Sequence, residues 1–252
     1  MKKLFIAILA MLALHACTDK PRYESVDGDP MGVRIYTLKN GLKVYTSVNR
    51  DQPRIQAYVA VRAGSKNDPL TSTGLAHYFE HMMFKGTPKF GTTNYEAERP
   101  LLDSIETLFN IYRQTTDTAQ RRLIYSRIDS ISYEASKLAI PGEYDKLMSA
   151  IGSAGSNAFT NYDCTCFVED VPSNQLDNWL KITAERFQTP VLRGFHTELE
   201  TVYEEYNMYA SEDRLKVWNA MQACLFPNHP YGRDIIGLPA HLKNPSITDI
   251  KA

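Results

Sequence analysis

The sequence predicts an α+β fold in which an antiparallel-rich sheet packs against helices, and three observations predict it. Two short runs in which apolar and polar residues alternate flank Asn40-Gly41, the strongest short-range signal for a β-hairpin. A third alternating run, with Ile55, Ala57, Val59 and Val61, follows closely. Further on, over residues 95–149, apolar residues recur every three or four positions, which is the helical period.

The chain has 252 residues, 43% of them hydrophobic and 23% charged, with a net charge of -1. That length can bury one or two cores. A near-neutral chain without a dense Lys/Arg run offers no electrostatic footing for nucleic acid. The first residues differ in kind. Lys2 and Lys3 precede an apolar run over residues 4–14, too short to span a bilayer but of the length of a signal-peptide core. It ends Leu14-His15-Ala16-Cys17, similar to a bacterial lipobox, with His15 an unusual residue there. Residues 1–17 are therefore expected to be a signal peptide, with Cys17 as the lipidated thiol, in a protein exported to the periplasm or outer membrane and held to the membrane by the lipid. The alternatives are a simple secretory signal cut nearby and an uncut anchor. Residues 18–32 are polar, with Pro21, Gly28 and Pro30, and are expected to form a tether.

The folded part is expected over residues 33–252. Strands are predicted at 33–38, 42–48 and 55–61. Gly64 and Pro69 then break the pattern, and Thr71, Ser72 and Thr73 offer caps for a following helix. The helical stretch carries Leu101, Leu102, Ile105, Leu108, Phe109 and Tyr112, a polar break at 115–118, then Leu123, Ile124, Ile128, Ile131, Ala135 and Leu138. This predicts a helical hairpin over about 96–150, ended by Pro141-Gly142 and followed by a short helix through 144–151. After a glycine-rich turn at 152–155, residues 157–168 read as one strand. Ser173 is expected to cap a helix that turns Leu176, Trp179, Leu180, Ile182, Ala184 and Phe187 inward and stops at Pro190. A long helix over about 193–223 follows. The tail holds Pro227, Pro230, Gly232, Gly237 and Pro239, which predicts loops with a short helix near His241.

Beyond Cys17 there are three cysteines, Cys164, Cys166 and Cys224, an odd number that argues against a disulfide framework. Cys164 and Cys166 on one strand would have α-carbons roughly 6.5 Å apart, near the far limit for a bridge. Both are expected to be buried small side chains, and no CxxC spacing supports a Cys/His metal site.

The chemistry concentrates in Gly74-Leu75-Ala76-His77-Tyr78-Phe79-Glu80-His81-Met82-Met83-Phe84-Lys85-Gly86-Thr87. His77 and His81 are four apart, one helical turn, so both imidazoles reach one metal ion from the same face. Glu80 is offset from that face and stays free to take a proton from a water that the metal activates. Zinc suits imidazole and carboxylate ligands and keeps a position open in catalytic sites. The alternative is a chance grouping on an amphipathic helix, but the chain has only six histidines in all.

The run Gly74 to Thr87 resembles the signature of the inverzincin peptidases, among them pitrilysin, insulin-degrading enzyme and the mitochondrial processing peptidase. Two later stretches strengthen the resemblance, Gly155-Ser156-Asn157-Ala158-Phe159-Thr160-Asn161-Tyr162-Asp163 and Glu198-Leu199-Glu200-Thr201-Val202-Tyr203-Glu204-Glu205. The resemblance implies a pitrilysin-like fold, in which the helical hairpin over about 96–150 is an insertion because the family's interval there is shorter, and hydrolysis of extended peptides with one Zn2+ per domain. It implies Glu205 as the third ligand, a choice that spacing alone leaves open against Glu204. It also implies Glu198, seven residues earlier, as a catalytic support and Glu80 as the general base. Seven residues span roughly 10 Å along one helical face, so Glu198 and Glu205 cannot easily share an ion. A solvated acidic face is the alternative for these glutamates.

Asn157, Ala158, Phe159 and Thr160 resemble the family's edge strand that pairs with an extended substrate; the alternative for Asn157 is a plain turn residue. Neutral imidazoles are required for binding, so activity is expected to fall at mildly acidic pH. Family members carry further related domains, with an Arg-Tyr pair in a later half. The chain is therefore expected to be C-terminally incomplete and to depend on a further domain or partner subunit. A non-catalytic peptide-binding or assembly subunit is the alternative function.

Overall fold

The computed structural model describes residues 23–251, in two compact units divided between Pro53 and Arg54. The expected signal peptide and Cys17 lie outside the described residues.

In the first unit, β1 (Arg34–Thr37) and β2 (Lys43–Thr46) pair antiparallel, Arg34 opposite Thr46 and Thr37 opposite Lys43. The turn between them is the expected one. Gly41 adopts φ 86°, and the Asn40 side chain accepts from the Leu42 amide at 3.1 Å. Of the expected tether at 18–32, the part within the described residues, 23–32, is tied down rather than free. Glu24 forms a β-bridge with Ile35, and the Asp29 carboxylate accepts from Met31 and Val33 amides. Tyr23 packs beside Tyr36, with the Arg34 guanidinium over its ring.

The second unit contains a three-stranded sheet ordered β3 (Arg54–Val61), β5 (Thr165–Pro172), β4 (Gly155–Thr160), all antiparallel. Its helices are α1 (Leu75–Met82), α2 (Tyr95–Gln114), α3 (Thr118–Ser136), α4 (Glu143–Ala150), α5 (Leu176–Gln188), α6 (Phe195–Ser211), α7 (Asp213–Leu225), α8 (Pro239–Leu242) and α9 (Ile247–Lys251). One apolar cluster joins α1, α2, α3 and α6 through Tyr78, Met82, Ile105, Phe109, Ile128, Phe195 and Val202. A second lies between the sheet and α4 and α5, built from Ala57, Phe90, Tyr144, Met148, Val171 and Trp179. The central strand β5 is the most buried of the three, as its position between two partners requires.

Several expectations are corrected. The single strand over 157–168 is a hairpin. Asn161 turns the chain by accepting from the Asp163 and Cys164 amides with its side chain, the Asx-turn chemistry of asparagine. Cys164 therefore sits in the turn, half-buried, while Cys166 is buried on β5; both are free thiols. The long helix breaks at Glu212, whose backbone is extended (φ -82°, ψ 112°), into α6 and α7. On α5 the buried residues are Trp179, Thr183 and Arg186, while Leu176, Leu180 and Ala184 face outward. Ser173 opens a short 3-10 turn and gives no side-chain cap.

Helix α1 is capped neither by Thr71, Ser72 nor Thr73. The Asp68 carboxylate accepts from the amides of Gly74 and Ala76 at 2.7 and 2.9 Å, placing a negative charge at the helix N-terminus. Thr73 instead bonds His241 and the Leu238 amide. Gly74 and Gly237 let two chain segments cross in contact. Both have positive φ, and a Cβ on Gly74 would strike the Ile236 carbonyl and one on Gly237 the Thr73 carbonyl.

Candidate metal centre and substrate cleft

Helix α1 presents His77 and His81 one turn apart, with ring centroids 4.8 Å from each other. Helix α6 runs past them with Glu198 and Glu205. Val202 and Leu199 are buried against the core, which fixes the rotation of α6 and turns Glu205 toward the imidazoles. Glu204, one position on, is exposed. One donor atom from each of His77, His81 and Glu205 lies within 4.8 Å of the others. Glu205 Oε2 is 3.7 Å from His77 Nε2 and 3.4 Å from His81 Nε2. Four ligands at tetrahedral angles and about 2.0–2.1 Å from a zinc ion stand about 3.3–3.4 Å apart. The donor set fits that ion in type and in spacing.

The two imidazoles are not equivalent. Burial pushes His77 down to about 4, the neighbouring His81 adds to this, and Glu205 opposes it. Its Nδ1 is buried without a hydrogen-bond partner. Burial also lowers His81, but the carboxylates of Glu198 and Glu205 on its two ring nitrogens outweigh that and raise it to about 9. The two therefore do not protonate together at mildly acidic pH. Glu198 accepts from His81 Nδ1 at 2.8 Å, which turns Nε2 toward Glu205. Buttressing of this kind fixes both tautomer and ring orientation. The second Glu198 oxygen pairs with Lys85. Burial raises Glu198, but the bonds to His81 and Lys85 outweigh it and hold the carboxyl below the ordinary range. Glu198 thus touches the site through His81.

Glu80, on α1 between the histidines, is buried and has its carboxyl raised by burial, against the hydrogen bond from Thr160. The Thr160 hydroxyl donates to Oε2 at 2.5 Å. A carboxyl raised by burial beside such a donor set is the pattern expected of a group that exchanges protons in a reaction.

The cleft holding these residues, of about 710 Å³, is bordered by Asn157, Ala158, Phe159 and Thr160 of β4. Among the described residues β4 pairs with β5 on one side only, so its other edge is open to a further strand. Asn157 Oδ1 accepts from the Ala158 amide at 2.9 Å. Phe159 is 46% exposed, and Tyr209, Leu215 and Trp218 complete an apolar border. The sequence reading did not single out Lys85, Tyr209 or Asp68. Tyr209 sits four positions after Glu205 on α6, a spacing that marks it as a neighbour.

The sequence model described as Insulinase (Peptidase family M16) matches residues 43–104 and 129–238. The unmatched interval 105–128 covers the second half of α2, the turn and the first half of α3. The protein named zinc protease PqqE of Helicobacter pylori is 24% identical over 248 residues, covering 95% of this chain and 41% of that protein. Insulin-degrading enzyme of Mus musculus is 24% identical over 198 residues, 78% of this chain and 15% of that one. The crystal structure of a protease from Helicobacter pylori superposes with a TM-score of 0.57 at 25% identity, over 92% of this chain and 42% of that chain. The chain spans about two-fifths or less of the length of these relatives.

Proposed function

The chain belongs to the insulinase family, peptidase family M16, and on that footing we propose that it carries the zinc-dependent active centre of an endopeptidase acting on extended peptides. The observation that carries the reading is the convergence of His77, His81 and Glu205 at zinc-ligand spacing, with Glu80 outside the ligand set beside them. Bound there, zinc supplies Lewis-acid polarisation of a carbonyl and brings the pKa of water to about 7.

His77 meets the ion already neutral, because its burial keeps protons off it at any pH above about 4. His81 loses its Nε2 proton on binding and keeps Nδ1–H on Glu198. Glu80, with Oε2 held by Thr160, takes the proton of the attacking water at Oε1 and returns it to the leaving amine. The free edge of β4 offers amides and carbonyls to an extended chain, which gives affinity without strict sequence demands. Zinc content by mass spectrometry, with peptide cleavage by the unsubstituted protein and by Glu80→Gln, tests the proposal. Zinc in both and cleavage only with Glu80 is the expected result. Stoichiometric zinc without cleavage, once further domains are supplied, would leave the non-catalytic subunit as the function.

Two further proposals rest on the sequence. The N-terminal stretch supports export to the periplasm or outer membrane with lipid on Cys17, checked by radiolabelled palmitate uptake lost in Cys17→Ser. The family resemblance supports a further domain or partner subunit supplying an Arg-Tyr pair, checked by restoring cleavage with added domains.

A further inference from the structure

We infer that Lys85 is a positioning residue of the metal centre, acting through Glu198 to fix the orientation of His81. The inference rests on the zinc reading above. Lys85 Nζ pairs with one oxygen of Glu198, whose other oxygen holds His81 Nδ1 at 2.8 Å. A carboxylate held at a single oxygen can swing about its side-chain torsions, and the imidazole it supports swings with it. Held at both oxygens, it is fixed, and so is the direction of His81 Nε2 toward Glu205.

Lys85 is itself built into place. It follows α1 in a turn in which its amide donates to Met82 O at 3.1 Å. Its carbonyl accepts from Arg193 Nη1 at 2.6 Å, and Arg193 is locked by a two-pronged pairing with buried Glu98 at 2.5 and 2.8 Å. The next residue, Gly86, accepts from the Val191 amide at 3.0 Å, and a Cβ there would strike both the Phe90 carbonyl and Arg193. Among the described residues lining the cleft, Lys85 is the one lysine or arginine, and Glu80, Glu198, Glu205 and Asp234 line the same cleft. Of these carboxylates its ammonium pairs with Glu198.

A role as a mere local charge predicts the opposite sign from a role in positioning. Removing a cation near a divalent ion strengthens binding of that ion by Coulomb's law. Removing the anchor of a ligand's supporting carboxylate weakens it, by about tenfold or more in measured cases. The test uses the full chain loaded with zinc and 15N-labelled at histidine. Transfer of zinc to a chromogenic chelator gives the dissociation rate, and the His81 Nδ1 proton gives the hydrogen bond to Glu198. The unsubstituted protein and Lys85→Arg are expected to show a protected Nδ1 proton and slow release. Lys85→Met is expected to lose that protection and to release zinc about tenfold faster. In a Glu198→Gln background, Lys85→Met should accelerate release no further, since a residue acting through Glu198 has nothing left to act on. Unfolding of the chelated proteins confirms that each variant is folded.

Unchanged protection and release in Lys85→Met, slower release, or an undiminished effect in the Glu198→Gln background would each overturn the inference. A chain that takes up no zinc at all would overturn the metal-centre reading itself, and the inference with it.

Discussion

Arg186 is a cation buried at 1% exposure against the end of α1, and its removal should destabilise the fold strongly. Its Nε donates to Met83 O at the end of α1 (2.9 Å), and Nη1 donates to Tyr144 Oη (2.7 Å). The guanidinium lies 4.2, 4.4 and 4.5 Å from the ring centres of Phe84, Tyr144 and Phe167. Glu169, buried on β5, has Oε1 3.7 Å from Nη1. Arg186→Met keeps most of the volume and removes the charge, so it leaves Glu169 as a buried carboxylate without its cation. Breaking one side of a buried pair costs about 3–5 kcal/mol. For a chain of this size that lowers Tm by about 10 °C.

The cost should fall on acidification. Burial already raises the Glu169 carboxyl, opposed by hydrogen bonds from Tyr144 and Ser156 and by Arg186. Without Arg186 it rises further above its unfolded value. A carboxyl raised on folding loses stability as pH climbs from the unfolded to the folded pKa and regains it as pH falls. The deficit of Arg186→Met should therefore shrink at pH 5 relative to pH 7. Adding Glu169→Gln should recover part of it at pH 7, because the stranded charge is gone. Urea denaturation at both pH values measures this. A deficit under about 1 kcal/mol at pH 7, or one that grows on acidification, would mean that Arg186 does not neutralise a buried Glu169.

Two other outcomes are expected. Burial lowers His81 but its two carboxylate neighbours raise it to about 9, so in chelated protein at pH 7 it is protonated. Zinc binding must expel that proton, so calorimetry in buffers of different ionisation enthalpy should report about one proton released at pH 7, with affinity rising tenfold per pH unit toward 9. By the same shift, His81 stabilises the metal-free fold fully below about 6.5, and this is lost as pH rises through about 9. Gly74→Ala would force a Cβ into the Ile236 carbonyl at a positive φ, and should cost about 2–3 kcal/mol or more by urea denaturation; a neutral result would show that the two segments are free to separate.

The parts of the fold legible in the sequence are those set by neighbours a few residues apart. The Asn40-Gly41 hairpin and the two histidines one turn apart depend on local spacing alone. What escaped depends on contacts across the chain or on short polar devices inside apolar runs. Asn161 turns the chain with two hydrogen bonds from one side chain, and nothing in the apolar pattern around it interrupts a strand reading. Asp68 caps α1 from beyond the threonines and serine that look suited to it, because a loop brings its carboxylate over the helix end. Glu204 and Glu205 are indistinguishable by spacing. Burial of Leu199 and Val202 sets the rotation of α6 and so separates them. Leu176 and Leu180 share a helical face with Trp179 by count, yet only Trp179 packs under the sheet.

If His77, His81 and Glu205 hold one zinc ion, zinc X-ray absorption on the metal-loaded chain will show it. Two imidazole nitrogens and carboxylate or water oxygens at about 2.0–2.1 Å are expected, with one nitrogen scatterer lost in His81→Ala. A spectrum dominated by sulfur at about 2.3 Å, or one unchanged in His81→Ala, would contradict it.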